Sequence, residues 1–192
     1  MREVKRKIVF DVDDILWGLN KIATDKANID YNKIVVYSAK ENYLLTEDER
    51  RRLLEVYSDP DTFRYINWYD GVEDIIRLEQ KGAEVYINSN SFNIEISELK
   101  RKQLKSILDL PDDRLILNVL TDCKKKEIGD GVWCFVDDSP HNIASSTAVY
   151  NIAVKTPWNT SKHALDVIGD KDVIILDTLK DVINHIDCIL DN

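Results

Sequence analysis

The sequence predicts an α/β protein: a doubly wound parallel sheet carrying a small, mostly helical insertion after its first strand. Three observations point there. Two short apolar runs, Ile8 to Phe10 and Trp133 to Val136, each lead straight into carboxylates. From Asp70 onward, strand-length apolar runs alternate with helical patterns, as crossovers between parallel strands require. Before that, Trp17 to Tyr69 breaks the alternation and is rich in charge and aromatic rings. The chain therefore divides into a core of residues 1–16 and 70–192 and an insertion of residues 17–69.

Taken in order, Ile8 to Phe10 is β-branched and aromatic, long enough for a buried strand. The insertion offers one possible strand, Ile34 to Tyr37, and one clear helix start. Thr46-Glu47-Asp48-Glu49 is a capping box, with Thr46 as N-cap and Glu49 reaching back, and Leu53, Leu54 and Tyr57 supply the apolar face. Asp70 is placed as the cap of a helix carrying Val72, Ile75, Ile76 and Leu78, closed by Gly82. Ala83 to Ile87 reads as a strand. A helix through Leu99, Leu104, Ile107 and Leu108 stops at Pro111. Leu115 to Leu117 and Trp133 to Val136 are further strands, followed by a short helix over Ser139 to Ala148. Tyr150 to Val154 and Val173 to Leu176 are strand-length. A last helix from Asp177 puts Leu179, Val182, Ile183, Ile186, Ile189 and Leu190 on one stripe.

The acidic residues at the two strand ends matter most. Asp11, Asp13 and Asp14 follow the first apolar run, and Asp137 and Asp138 follow the run from Trp133. Ligands bind outside the carboxyl ends of strands in open α/β sheets. Were the two strands neighbours, Asp11, Asp13, Asp137 and Asp138 would meet at one edge. Carboxylates so crowded repel one another and call for a cation, and an all-oxygen donor set suits Mg²⁺. Read singly, either run is equally a solvated acidic turn.

Composition narrows the partners. The chain has 192 residues, 44% of them hydrophobic, enough for one good core. A formal net charge of −9 disfavours nonspecific binding to nucleic acid or to an anionic membrane. The apolar run after the basic start is too short for a signal-peptide core or a membrane span. Cys123, Cys134 and Cys188 lack metal-ligand spacing, and Cys134 reads as a small buried hydrophobe. A soluble, cytoplasmic protein is expected.

Asp11-Val12-Asp13-Asp14-Ile15 resembles the first motif of the haloacid dehalogenase (HAD) superfamily, Asp-x-Asp-x-[Thr/Val/Ile]. Val85-Tyr86-Ile87-Asn88-Ser89 is similar to the second, an apolar strand ending in Ser or Thr. Lys124, Lys125 and Lys126 stand where the third places a lysine, shortly before the acidic fourth, Asp137-Asp138. Within the superfamily, the 5'(3')-deoxyribonucleotidase family is the nearest likeness. It resembles this chain at Phe10 to Leu16, Asp70-Gly71-Val72, Val136 to Asn142 and Thr156-Pro157-Trp158-Asn159.

The resemblance implies a Rossmann-like HAD core whose insertion is a C1-type cap, and a phosphomonoester hydrolase. Asp11 would be the nucleophile that forms an aspartyl-phosphate. Asp13 would protonate the leaving group and then deprotonate water; dehalogenases lack an acid there, which favours phosphoryl transfer. Two residues apart on an extended strand end, both can face one phosphoryl group. Ser89 and Lys124 would hold phosphate oxygens, with Lys125 the next choice and Asn90 a possible phosphate or sugar contact. Mg²⁺ would sit on Asp11, the backbone carbonyl of Asp13, Asp137 and, as ligand or second-sphere partner, Asp138. Trp17, and Phe63, Tyr65 or Trp68 near the return to the core, are the aromatics expected to stack on a base. The expected substrate is a nucleoside monophosphate. Rival readings are a phosphatase for another small metabolite, a nucleic-acid end phosphatase and a catalytically idle binding module.

Overall fold

The structure, a computed structural model, describes residues 5–119 and 131–191. The six strands found there are β1 (Lys7–Phe10), β2 (Glu84–Ser91), β3 (Leu115–Val119), β4 (Val132–Val136), β5 (Tyr150–Val154) and β6 (Ile174–Leu176). They form one parallel sheet in the order β3-β2-β1-β4-β5-β6. The order reverses at β1, so β1 lies between β2 and β4 at the switch point where α/β sheets bind ligands.

Both faces of the sheet are covered, as a parallel sheet requires. Ile8 and Phe10 of β1, with Cys134 and Val136 of β4, face the larger core. That core also takes in residues of α3 (Ile75–Gln80), α4 (Ile94–Ile107) and α7 (Leu179–Leu190). Val9 and Phe135 point the other way, against Ile143 of α5 (Pro140–Ser145) and Ile168 of α6 (Lys162–Ile168). The alternation follows from the period-2 geometry of a strand. In α7 the buried positions are Leu179, Val182, Ile183 and Ile186, the i, i+3, i+4, i+7 stripe expected from the sequence.

Residues 17–69 hold α1 (Leu19–Ala27), α2 (Glu47–Ser58) and two short 3₁₀ turns, Tyr31–Lys33 and Pro60–Phe63. Ile34 to Tyr37 is irregular rather than a strand. The capping box forms: Glu49 N donates to Thr46 Oγ1 at 3.2 Å, and Thr46 N to Glu49 Oε2 at 2.8 Å. Two bonds tie this segment to α4. Asn93 Nδ2 donates to the Ser58 carbonyl at 3.1 Å, and Gln103 donates to the Phe63 carbonyl; Asn93 also caps α4 by accepting from Ile96 N.

A second local expectation also fails. Asp70 does not cap the next helix; Gly71 at φ +99° leads into a 3₁₀ turn over Val72–Asp74 before α3 begins. That left-handed conformation suits glycine and is strained for other residues. The short helix α6 was not anticipated, because only Ala164 and Ile168 of its seven residues are buried and so few positions show no period. Among the described residues no helix is long and apolar enough to cross a membrane.

Candidate active site

Register places the acidic strand ends side by side. Phe10 pairs with Ile87 of β2 and with Val136 of β4, so Asp11 lies level with Asn88 on one side and Asp137 on the other. Asp11 N donates to the Val136 carbonyl at 2.9 Å. The chain then turns tightly, with Leu16 N bonded to the Val12 carbonyl (2.8 Å) and Asp14 N to the Trp17 carbonyl (2.7 Å). Asp14 adopts φ +58°, a left-handed conformation that Asp tolerates better than most residues. Its carboxylate is buried and accepts from Asn20 N (3.0 Å) and Asn20 Nδ2 (2.7 Å). It thus serves the open N-terminus of α1, where Gly18 at the cap has no side chain to do so. Burial pushes the Asp14 carboxyl well above its ordinary value, against the opposing pull of the Asn20 hydrogen bonds.

Asp13 is held from two sides. Trp17 Nε1 donates to Oδ1 at 2.9 Å, and Lys100 Nζ donates to Oδ2 at 2.5 Å. Lys100 also donates to Ser89 Oγ (3.2 Å) and to the Asn90 carbonyl (2.9 Å), engaging all three of its N–H groups. Only 1% of its side chain is exposed, so pairing with Asp13 offsets much of the cost of burying the ammonium. Burial raises the Asp13 carboxyl above its usual range, outweighing the Lys100 charge that lowers it; the neighbouring Asp11 charge adds to the rise.

Lys100 was missed in the sequence, although a signal was there. Ile96, Lys100 and Leu104 are spaced i, i+4, i+8, and all three are buried on the inner face of α4. A lysine on an apolar stripe is a buried charge in search of a partner. The lysines singled out instead, Lys124, Lys125 and Lys126, lie outside the described residues.

Asp11, Asp137 and Asp138 form a buried group with one carboxylate oxygen from each within 4.8 Å of the others. Ser139 N (2.8 Å) and Asn142 Nδ2 (3.1 and 3.0 Å) donate to Asp137. Trp158 Nε1 donates to Asp138 Oδ2 at 2.9 Å. Three hard, acceptor-only ligands so close together match what a divalent cation needs. The Asp13 carboxylate is not in this group but is turned toward Trp17 and Lys100; the ligand that the resemblance implies at this position is the Asp13 backbone carbonyl.

Above these groups lies a cavity of about 420 Å³ between the sheet edge and residues 17–69. Asp11, Asp13, Asp138, Lys100 and Asn90 form its floor, and Tyr37, Tyr57, Phe63 and Phe92 are its aromatic walls. Tyr57 stacks on Phe92 (5.8 Å, 19°) and donates to Asn20 Oδ1. Although Tyr37 as a whole is 41% exposed, loss of water around its hydroxyl, then the charges of Asp138, Asp11, Asp137 and Asp13, push that hydroxyl well above its ordinary value. Trp17 and Trp68 do not line the cavity. Trp17 is wholly buried, edge-on to Phe63 (5.4 Å), with its N–H on Asp13; it has no ring face to offer a base. Trp68 pairs with the Trp17 backbone behind it. The rings that are part-exposed at the cavity are Tyr37 (41%) and Phe92 (38%).

No protein-family model matches the chain, and no curated protein matches its sequence. Solved structures do match. A hydrolase from Pseudomonas syringae superposes with a TM-score of 0.58 at 16% identity, over 97% of this chain and 99% of that one. A phosphonoacetaldehyde hydrolase-like protein from Oleispira antarctica gives 0.57 at 12% identity, over 99% and 97%. The HAD hydrolase YfnB from Bacillus subtilis, bound to magnesium, gives 0.54 at 16% identity, over 96% and 100%. The chain has the fold of these HAD-like hydrolases.

Proposed function

We propose that the protein is a Mg²⁺-dependent phosphomonoester hydrolase that works through an aspartyl-phosphate on Asp11. The observation that supports this best is the meeting, at one sheet edge, of a buried nucleophile candidate, an acid-base candidate, a buried lysine and a three-carboxylate group. Asp11 attacks phosphorus and the ester P–O bond breaks, while Asp13 gives its proton to the leaving oxygen. Asp13, now a carboxylate, takes a proton from the water that attacks the aspartyl-phosphate, and phosphate leaves. Its raised affinity for a proton suits both halves of the cycle. Lys100 and Ser89 hold the non-bridging oxygens and stabilise the charge they gather. A cation bound by Asp11, Asp137, Asp138 and the Asp13 carbonyl would offset the repulsion between nucleophile and phosphoryl group.

Asp13→Asn keeps the hydrogen-bonding shape but removes the transferable proton. It is expected to lower kcat by ~10²–10⁴-fold and also to lower the melting temperature, because the buried Lys100 ammonium loses its counter-charge. Steady-state assay with an aryl phosphate and a thermal melt check both halves. Chelation by EDTA should remove activity, and Mg²⁺ should restore it; full turnover in excess chelator would refute the metal assignment.

The finer reading is a nucleotidase acting on (deoxy)nucleoside monophosphates. What supports it is the pair of part-exposed rings, Tyr37 and Phe92, beside the phosphoryl site. Stacking on a base is worth ~1–3 kcal/mol, or roughly 5–150-fold in affinity. A panel of phosphomonoesters assayed with Mg²⁺ tests the whole proposal. Nucleoside monophosphates should lead, and Phe92→Ala should raise KM for them well beyond any change for a small alkyl phosphate. Preference for sugar phosphates would reject the nucleotide reading while leaving the phosphatase; turnover of none would reject both.

A further inference from the structure

We propose that Trp158 is a positioning residue for the cation site, fixing the Asp138 carboxylate in the rotation that presents it to Asp11 and Asp137. This rests on the cation reading given above. Trp158 sits in the loop after β5, twenty residues along the chain from the carboxylate it holds. Its ring is wholly buried, and the edge-on ring of Tyr31, 6.1 Å away, packs against it from the insertion. The loop is itself stapled. Asn159 Nδ2 donates to the Val154 carbonyl (2.7 Å), Thr156 N to Asn159 Oδ1 (2.9 Å) and Asn159 N to Thr156 Oγ1 (3.3 Å). The indole can therefore neither slide nor swing, and the 2.9 Å bond to Asp138 Oδ2 inherits that rigidity.

A buried indole N–H needs an acceptor, but a carboxylate is an expensive choice for that purpose alone. A backbone carbonyl would satisfy the N–H without burying a charge. The arrangement makes sense if the charge has its own task and the indole serves it. A neutral donor orients the carboxylate without cancelling the charge that a cation would use. Trp17 stands in the same relation to Asp13. Outer partners of this kind typically change metal affinity 10–100-fold when removed.

The test is direct cation binding without substrate. Free Mn²⁺, which shares the preference for oxygen ligands, is titrated by electron paramagnetic resonance against the wild-type protein, Trp158→Phe and, as a control, Trp133→Phe. Trp133 packs on Tyr150 and lies under Arg6, remote from the acidic group in its contacts. Trp158→Phe should weaken Mn²⁺ binding ~10–100-fold, and Trp133→Phe should leave it unchanged. Equal affinity in Trp158→Phe and wild type would overturn the positioning role and leave the cation site standing. Failure of the wild type itself to bind Mn²⁺ would overturn both. Should Trp158→Phe not fold, the unaltered protein decides. Its Trp158 indole N–H resonance should shift on Mg²⁺ titration while that of Trp133 stays; a Trp158 signal indifferent to Mg²⁺ would reject the proposal.

Discussion

Asp11→Asn is expected to lose turnover by at least ~10⁴-fold, because no other group can form the covalent intermediate; removing a hydrolase nucleophile has cost as much as ~10⁶-fold. The fold should survive. The Asp11 backbone bond to Val136 is untouched by the change, and the side chain lies within a group of like charges. Asparagine keeps the size and shape of the side chain, so in chelator the melting temperature should change little. The informative comparison is kcat on an aryl phosphate at saturating Mg²⁺ alongside a melt of the same sample. An Asp11→Asn protein with half the wild-type rate would end the mechanism.

Lys100→Met should lower kcat by ~10²–10³-fold, the size seen when one donor to a developing anion is removed. Methionine keeps most of the stem and loses the ammonium, which lies 5.4 Å from the centroid of the Phe63 ring. It removes the charge shared by Asp13, Ser89 and the Asn90 carbonyl. The same assay on Lys124→Ala and Lys125→Ala makes the choice of lysine explicit. A large loss in Lys100→Met with small losses in the other two supports α4 as the source of the phosphate-binding cation. The reverse pattern would return that role to the lysine run before β4.

The parts of this site legible in the sequence were those set by chain-local rules. Ile8 to Phe10 and Trp133 to Val136 had no plausible fate but buried strands, and the carboxylates were their direct continuation. The capping box at Thr46 and the stripe of α7 were equally local. What stayed hidden depends on which surfaces meet. Trp17 looked well placed for a base because it follows the nucleophile loop, yet the turn through left-handed Asp14 sends it beneath Asp13. Asp14, the third carboxylate after the first strand, had no role assigned from the sequence and is the acceptor at the start of α1. Lys100 is 87 positions from Asp13 and meets it only because α4 crosses the sheet beside β3. Tyr37 and Phe92 reach the cavity from irregular segments on which hydrophobic periodicity is silent.

The covalent intermediate is the claim on which the account stands. Wild-type protein mixed with Mg²⁺ and an aryl phosphate, quenched in acid during turnover, should carry the mass of one phosphoryl group. Peptide mapping should place that group on Asp11, and hydroxylamine should remove it, as expected of an acyl phosphate. Asp11→Asn treated in the same way should carry none. Sustained turnover by the wild type with no adduct at any quench time, or an adduct on another residue, would contradict the account.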